Sequence, residues 1–320
     1  MAGVSRNQFT EAMKQDLYNW YWESYDDVAP VWGQLFDVVQ SNAAYEKFNS
    51  AIGLGELMEK PEGEDLQADA PMESYTIVCK NRSFGRLVRF TYETVKDAQK
   101  GGNLLQSAVQ SWSRMVPITK DKFYAKFWIN GAKTAGNDVF NNSITGVVDD
   151  PTGNVAYDGK PWFSTTHASR TGATYANYTE TRSLTSDNLQ TTWLTFHSTN
   201  NRDERDELIS LRADTLLLPT ALKFTAAVIL ESTLIPGSMD NDTNVMRAIL
   251  NPMEWGQLTD ADGWFMISRG KGLMATERED VGLDFWQDET SKDYFASIFC
   301  RFGGAVTNWR YAYACNITST

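Results

Sequence analysis

The stretch from 103 to 130 constrains this chain more than any other, because its large apolar residues are spaced for one long helix. Leu104, Leu105, Ala108, Val109, Trp112, Met115 and Val116 recur at intervals of three and four, the period of a buried helical face. Phe123, Tyr124, Phe127 and Trp128 continue the stripe, and Gly131 supplies a stop. Pro117 predicts a break or kink on the way, with Thr119 available to cap a restart. About 28 residues at ~1.5 Å each make a rod of roughly 40 Å. A compact body of this length has a diameter of about 50 Å. The helix is therefore a structural spine that crosses most of it.

The segment before the spine has a different character. Residues 53–73 carry seven Asp and Glu against one Lys, with Gly and Pro interspersed. Such a segment cannot form a core and predicts an exposed loop. Two β-rich stretches follow, 75–79 and 86–92, with turn residues at 81–85. Together they predict a hairpin over 53–92 that projects from the body. A long irregular loop in a compact domain is usually functional, here by touching another subunit. The first fifty residues read as an amphipathic helical arm with Phe9, Met13, Leu17 and Trp20 on one face. Pro30 interrupts it, and a second helical stretch is expected over 31–48.

After the spine, residues 135–183 are rich in Gly, Asn, Thr and Ser, which predicts loops with short strands. A helix is expected over 186–200 with Ser186 as its N-cap, then a strand and a helix over 213–232. Short strands are expected over 245–268, 273–286 and 294–317. Helices and strands are thus mixed without βαβ alternation, which is an α+β pattern.

Composition excludes several functions. The net charge of −12 lacks the dense Lys/Arg cluster that phosphate binding needs. Cys79, Cys300 and Cys315 are far apart and odd in number, which points to free thiols in a reducing compartment. There is neither a signal-peptide run nor an apolar stretch of about 18 residues that could span a membrane. With only two histidines, His167 and His197, no zinc-ligand spacing occurs. No phosphate loop, dinucleotide fingerprint or nucleophile elbow is present, so no cofactor is expected. The mixed-sign runs 202–207 and 277–280 read as solvated faces. One constellation hints at hydrolysis: Asp158, Ser164 and His167 lie within one short string. Triads are assembled by folding and not by sequence proximity, so the string reads as a loop serine and a loop histidine.

That same string, Tyr157-Asp158-Gly159-Lys160-Pro161-Trp162-Phe163-Ser164-Thr165-Thr166-His167, resembles a segment of the head-subunit proteins of tailed phages, including the Mu-like prophage group. The continuation is similar too: a Gly/Asn-rich loop over 168–178, a helix opening at Leu184, then 214–219 and 226–232 in the manner of the family's proline-ended strand and helix. The resemblance implies the Hong Kong 97 type capsid fold. It divides the chain into an N-terminal arm (1–52), an extended loop (53–85) and a peripheral domain with its spine (86–134, spine 103–130). An axial domain (135–272) and closing strands near the peripheral domain (273–320) complete it. It implies a structural subunit, not an enzyme, that assembles with many copies of itself as pentamers and hexamers into an icosahedral head shell. The shell encloses double-stranded DNA without sequence-specific binding, is assembled in the host bacterial cytoplasm and becomes part of the virion. No long charged helix precedes the arm, so a separate scaffolding protein is expected, along with a portal and decoration proteins. An encapsulin-like or other phage assembly protein is the alternative, and a hydrolase using His167 stands further off.

In that setting the inter-subunit contact candidates are Phe9, Met13, Leu17 and Trp20 on the arm. The acidic loop adds Glu56, Glu59, Glu62, Glu64, Asp65 and Asp69, expected to meet Lys120, Lys122 and Lys126 on a neighbour's spine.

Overall fold

The computed structural model describes residues 6–25, 30–52, 57–66, 68–69, 72–97, 101–133, 156, 158–234 and 242–317. A first helix, α1 (Arg6–Glu23), leads to strands β1 (Asp37–Gln40), β2 (Tyr45–Ile52), β3 (Met72–Lys80) and β4 (Arg82–Phe90). Helices α2 (Tyr92–Asp97) and α3 (Gly101–Ile129) come next. Three two-residue strands, β5 (His167–Ala168), β6 (Thr174–Tyr175) and β7 (Tyr178–Thr179), precede α4 (Ser186–Leu194), β8 (Thr215–Leu218) and α5 (Lys223–Glu231). The chain closes with β9 (Asn251–Glu254), β10 (Trp264–Ile267), β11 (Leu273–Gln287), β12 (Tyr294–Val306) and β13 (Ala312–Cys315).

Two sheets organise these elements. The peripheral sheet has the order β1-β11-β12-β4. β1 runs parallel to β11 from the Asp37–Met274 pair, while β12 is antiparallel to both β11 and β4. Its inner face alternates Leu283 and Phe285 on β11 with Ala296 and Ile298 on β12, packed against Leu17 and Tyr21 of α1 and Val109 and Val116 of α3. The axial sheet has the order β7-β13-β10-β8-β9. Its central strands β8, β10 and β13 are buried on both faces. Leu216, Leu218, Trp264, Met266 and Tyr313 meet α4 and α5 on one side. Leu217, Phe265, Ile267, Ala312 and Ala314 face the other, where Phe123, Tyr124, Phe127 and Trp128 of α3 lie. The second half of the spine is thus wedged between the axial sheet and β12.

The structure corrects several expectations. No helix covers 31–48. After a short 3-10 turn at Trp32–Gln34 the chain gives β1 and β2, because Val38 and Val39 find a partner in β11. The hairpin pairs β3 with β2 and not with β4. A single residue, Asn81, separates β3 from β4, so the chain cannot reverse there, and β4 lies along β12 instead. The two-stranded ribbon therefore starts at Tyr45, inside the segment expected to be the arm. Pro117 does not end the spine, which runs unbroken. Thr119 donates to the Met115 carbonyl at 2.7 Å and does not cap a restart. Thr185, not Ser186, is the N-cap of α4, accepting from the Asn188 N–H. That helix ends at Leu194 and loosens into a π turn over Thr195–Thr199. The closing strands split: β11 and β12 join the peripheral sheet, but β13 pairs with β10 in the axial one. Most of 135–157 lies outside the described residues.

Candidate assembly surface

The projecting ribbon is built from β2 and β3, which form a two-stranded sheet of their own. Its root is tied down carefully. Phe48, Ile77, Cys79 and Ala305 make a small apolar cluster there. Asn81 donates to Ser41 Oγ at 2.8 Å and to the Ala43 carbonyl at 2.9 Å, and accepts from Thr276 Oγ1 at 2.6 Å. Gly303 permits the close crossing of β3 over β12: a Cβ there would collide with the Lys80 carbonyl and the Thr276 hydroxyl. Leu57, Met58 and Leu66 are almost fully exposed, at 103%, 71% and 78%. Glu59, Glu62, Glu64 and Asp65 are exposed beside them. Asp69 is paired within the subunit, its carboxylate accepting from Arg205 at 3.0 and 3.2 Å. Glu56 lies outside the described residues.

The spine lysines separate into two kinds. Lys120 is not available to a neighbour, because its ammonium is buried and bonds Glu277 of β11 at 2.6 Å, between the Trp32 and Phe302 rings. Lys122 is exposed and Lys126 half-buried, on the opposite side of the helix. Asp121, next to Lys120, was missed from the sequence and is a structural junction. One carboxylate oxygen accepts from the N–H groups of Val31 and Trp32 at 3.0 and 3.2 Å. The other accepts from Trp255 Nε1 at 2.8 Å. One side chain so joins the entry segment, the spine and the edge of the axial sheet. A signal existed: Lys120 and Asp121 share the helical face of Phe123, Tyr124 and Phe127, where charges need partners.

On the arm, Leu17 is buried against α3 and β11 of its own subunit, and Trp20 packs partly on the same cluster. The side chains of Phe9 and Met13 lie outside the described residues.

The Asp158–His167 string folds into a closed knot. Gly159, at φ +75°, turns the chain so that Asp158 caps Lys160 N–H and reaches His167 Nδ1 at 2.7 Å. The other ring nitrogen faces the Trp162 carbonyl at 3.1 Å, and the imidazole stacks flat on Trp309 at 4.3 Å. Burial opposes the Asp158 charge, but the hydrogen bond and charge of His167, with the Lys160 N–H, outweigh it and hold this carboxyl below its ordinary range. His167 is wholly buried and both its ring nitrogens are engaged. Ser164 Oγ sits beside Thr166 and not against the ring. Behind Trp309, Arg310 is buried with Glu204 at 2.6 Å. Burial lifts the Cys300 thiol to about 11 and that of Cys315 to about 12. Among the described residues no three of His, Cys, Asp or Glu converge as a metal would require. No helix there is long and apolar enough to cross a membrane.

The body has two sheets with the spine between them and a separate two-stranded ribbon rooted on β12, and the family comparison says what such a chain is. The model of a family described as phage capsid protein matches residues 75–315. The chain belongs to that family. No curated protein matches it in sequence. Solved structures agree on the fold at low identity. The capsid of cyanophage P-SCSP1u aligns over 91% of this chain and 89% of its own at 11% identity, with a TM-score of 0.53. The capsid of Ralstonia phage GP4 gives 0.53 at 10% identity, over 88% and 86%. The capsid of a native GTA particle gives 0.52 at 11% identity, over 100% and 93%. The fold is the α+β Hong Kong 97 type. This capsid protein is a structural, shell-forming subunit of a phage.

Proposed function

We propose that this capsid protein is the major head subunit, assembling as pentamers and hexamers in the bacterial cytoplasm and enclosing double-stranded DNA without reading its sequence. It has no catalytic activity in this reading. A scaffolding protein, a portal and decoration proteins are its expected partners. The observation that carries the proposal is the ribbon. An isolated two-stranded ribbon is marginal in water, yet this one holds Leu57, Met58 and Leu66 in solvent. A neighbour's surface gives those side chains a place to bury, and many such contacts add up to a shell. The acids Glu59, Glu62, Glu64 and Asp65 then favour a cationic strip, for which Lys122 and Lys126 of the next spine are suited by charge. The net charge of −12 keeps packaged DNA from adhering to the wall.

Electron microscopy of the purified protein, beside size-exclusion chromatography, tests this directly. Closed shells or capsomer rings are expected. A monomer that persists with scaffold or crowding agent overturns it. Reversing charge at Lys122 and Lys126 tests the loop contact alone, and normal assembly of that variant removes it. The hydrolase reading gains nothing from His167, whose ring is buried and engaged on both nitrogens.

A further inference from the structure

Three buried indole N–H groups have no acceptor among the described residues, those of Trp32, Trp128 and Trp162. Trp255 and Trp264, by contrast, donate to Asp121 and to the Arg182 carbonyl. An indole nitrogen can only donate, and a buried donor left unmet is costly. Trp128 on the spine and Trp162 in the Asp158–His167 knot are each 1% exposed, and their rings meet edge to face at 4.5 Å. Both line one small cavity, with Leu35 and Leu273 in its walls. Its volume is about 10 Å³, room for one atom the size of a water oxygen.

The exposed residues Arg269 and Lys271 stand at the rim of this cavity. They flank Gly270 in the turn from β10 to β11, where Gly270 and Gly272 both take positive φ, +70° and +76°. Neither cation is in an ion pair among the described residues; the Lys271 ammonium lies over the Tyr311 ring at 5.9 Å. Acceptors in the lining are already engaged. The Ile267 carbonyl accepts from the Asp214 N–H, the Tyr311 carbonyl from the Ser268 N–H, and Asn308 Oδ1 from the Arg310 N–H. Donors inside and positive charge outside are what remain.

The geometry points to a carboxylate site. One oxygen enters the cavity and accepts from Trp128 Nε1 and Trp162 Nε1, while the rest of the group stays at the rim between Arg269 and Lys271. Size and charge select this ligand. Sulfate and phosphate are too large for the cavity, and a neutral group of the same shape gains nothing from the two cations. Hydrogen bonds to an ionised oxygen are also stronger than those to water. A bound carboxylate ties the spine, the knot and the β10–β11 turn together. A free ion and an Asp or Glu side chain of another copy offer the same chemistry.

The test uses the full-length unassembled subunit and sodium formate, with sodium sulfate holding the ionic strength constant. Formate is expected to raise the melting temperature saturably, and formamide, its neutral isostere, is not. Trp128→Phe and Trp162→Phe each keep an aromatic ring and lose one donor, and each is expected to weaken formate binding about tenfold. Because those indoles are buried, an Arg269→Ala/Lys271→Ala variant tests the rim at the surface. It is expected to keep its melting temperature in sulfate and to lose most of the formate response. A wild-type response that is absent, matched by formamide or unchanged in the rim variant overturns the site and leaves the cavity to water. Assembled particles separate the two sources. A formate response lost on assembly supports the site with a neighbouring copy's carboxylate in it, and a retained response supports it with a free ion.

Discussion

The two sheets of this capsid protein solve the same problem in opposite ways. The axial sheet uses strands of four residues or fewer, and its three central strands are buried on both faces. The peripheral sheet uses strands of up to fifteen residues, with one face on α1 and α3 and the other covered by β3 at the Thr276–Ala305 end and open toward Trp286. On that open face Trp286 stacks on Phe295 at 5.4 Å yet stays 41% exposed, and Leu87 is 55% exposed. The difference teaches where a shell subunit places its rigidity. The axial core is closed and complete within one chain. The peripheral sheet is covered on one face along its length and on the other only where β3 crosses it.

The comparison breaks if the axial core proves tolerant. Trp264→Ala removes a fully buried indole and the hydrogen bond it gives the Arg182 carbonyl. A loss of about 4 kcal/mol is expected, read by chemical denaturation of the unassembled subunit. The junction between the bodies comes next. Asp121→Ala leaves the Val31 and Trp32 N–H groups and the Trp255 indole without their acceptor. About 3 kcal/mol is expected, and a near-neutral result would mean that water replaces the carboxylate easily.

The peripheral sheet offers an internal control. Leu283→Ala, on the covered face, is expected to cost about 2–3 kcal/mol. Trp286→Ala, on the open face, is expected to cost under about 1 kcal/mol in the isolated subunit. Equal losses would show that the open face is structured by its own chain. The smallest effect concerns the knot at His167. The Asp158 carboxyl is held below its ordinary 3.8, so its contribution is present above that value and is lost as pH falls through the lower folded value. Asp158→Asn is expected to flatten this acid limb of a melting-temperature profile. An unchanged limb would assign it to other carboxylates.

Particular residues explain what the chain's text revealed. The spine was legible because Val109, Val116, Phe123 and Trp128 repeat at helical spacing over a long run, and nothing tertiary is needed to specify that face. The β8–α5 unit was legible for the same reason, as a short apolar run ended by Pro219 and followed by a helical period. The segment 37–52 was not. Its strands exist because β11 and β3 pair with them, and pairing across more than 200 residues, as in Asp37 with Met274, leaves no local mark. Among the candidate contacts, Lys120 was misjudged because a lysine's partner is set by what folds beside it, here Glu277.

By itself, the sequence determined the spine, the acidic character of 53–73, the mixed α+β character and the absence of recognisable catalytic or metal motifs, all of them properties of local period and composition. The tertiary structure alone decided which strands pair, that β13 leaves its neighbours for the axial sheet, and that Asp121 and His167 are anchors. Those outcomes depend on hydrogen bonds and burial between residues far apart in the chain, and such contacts exist only once the chain has folded.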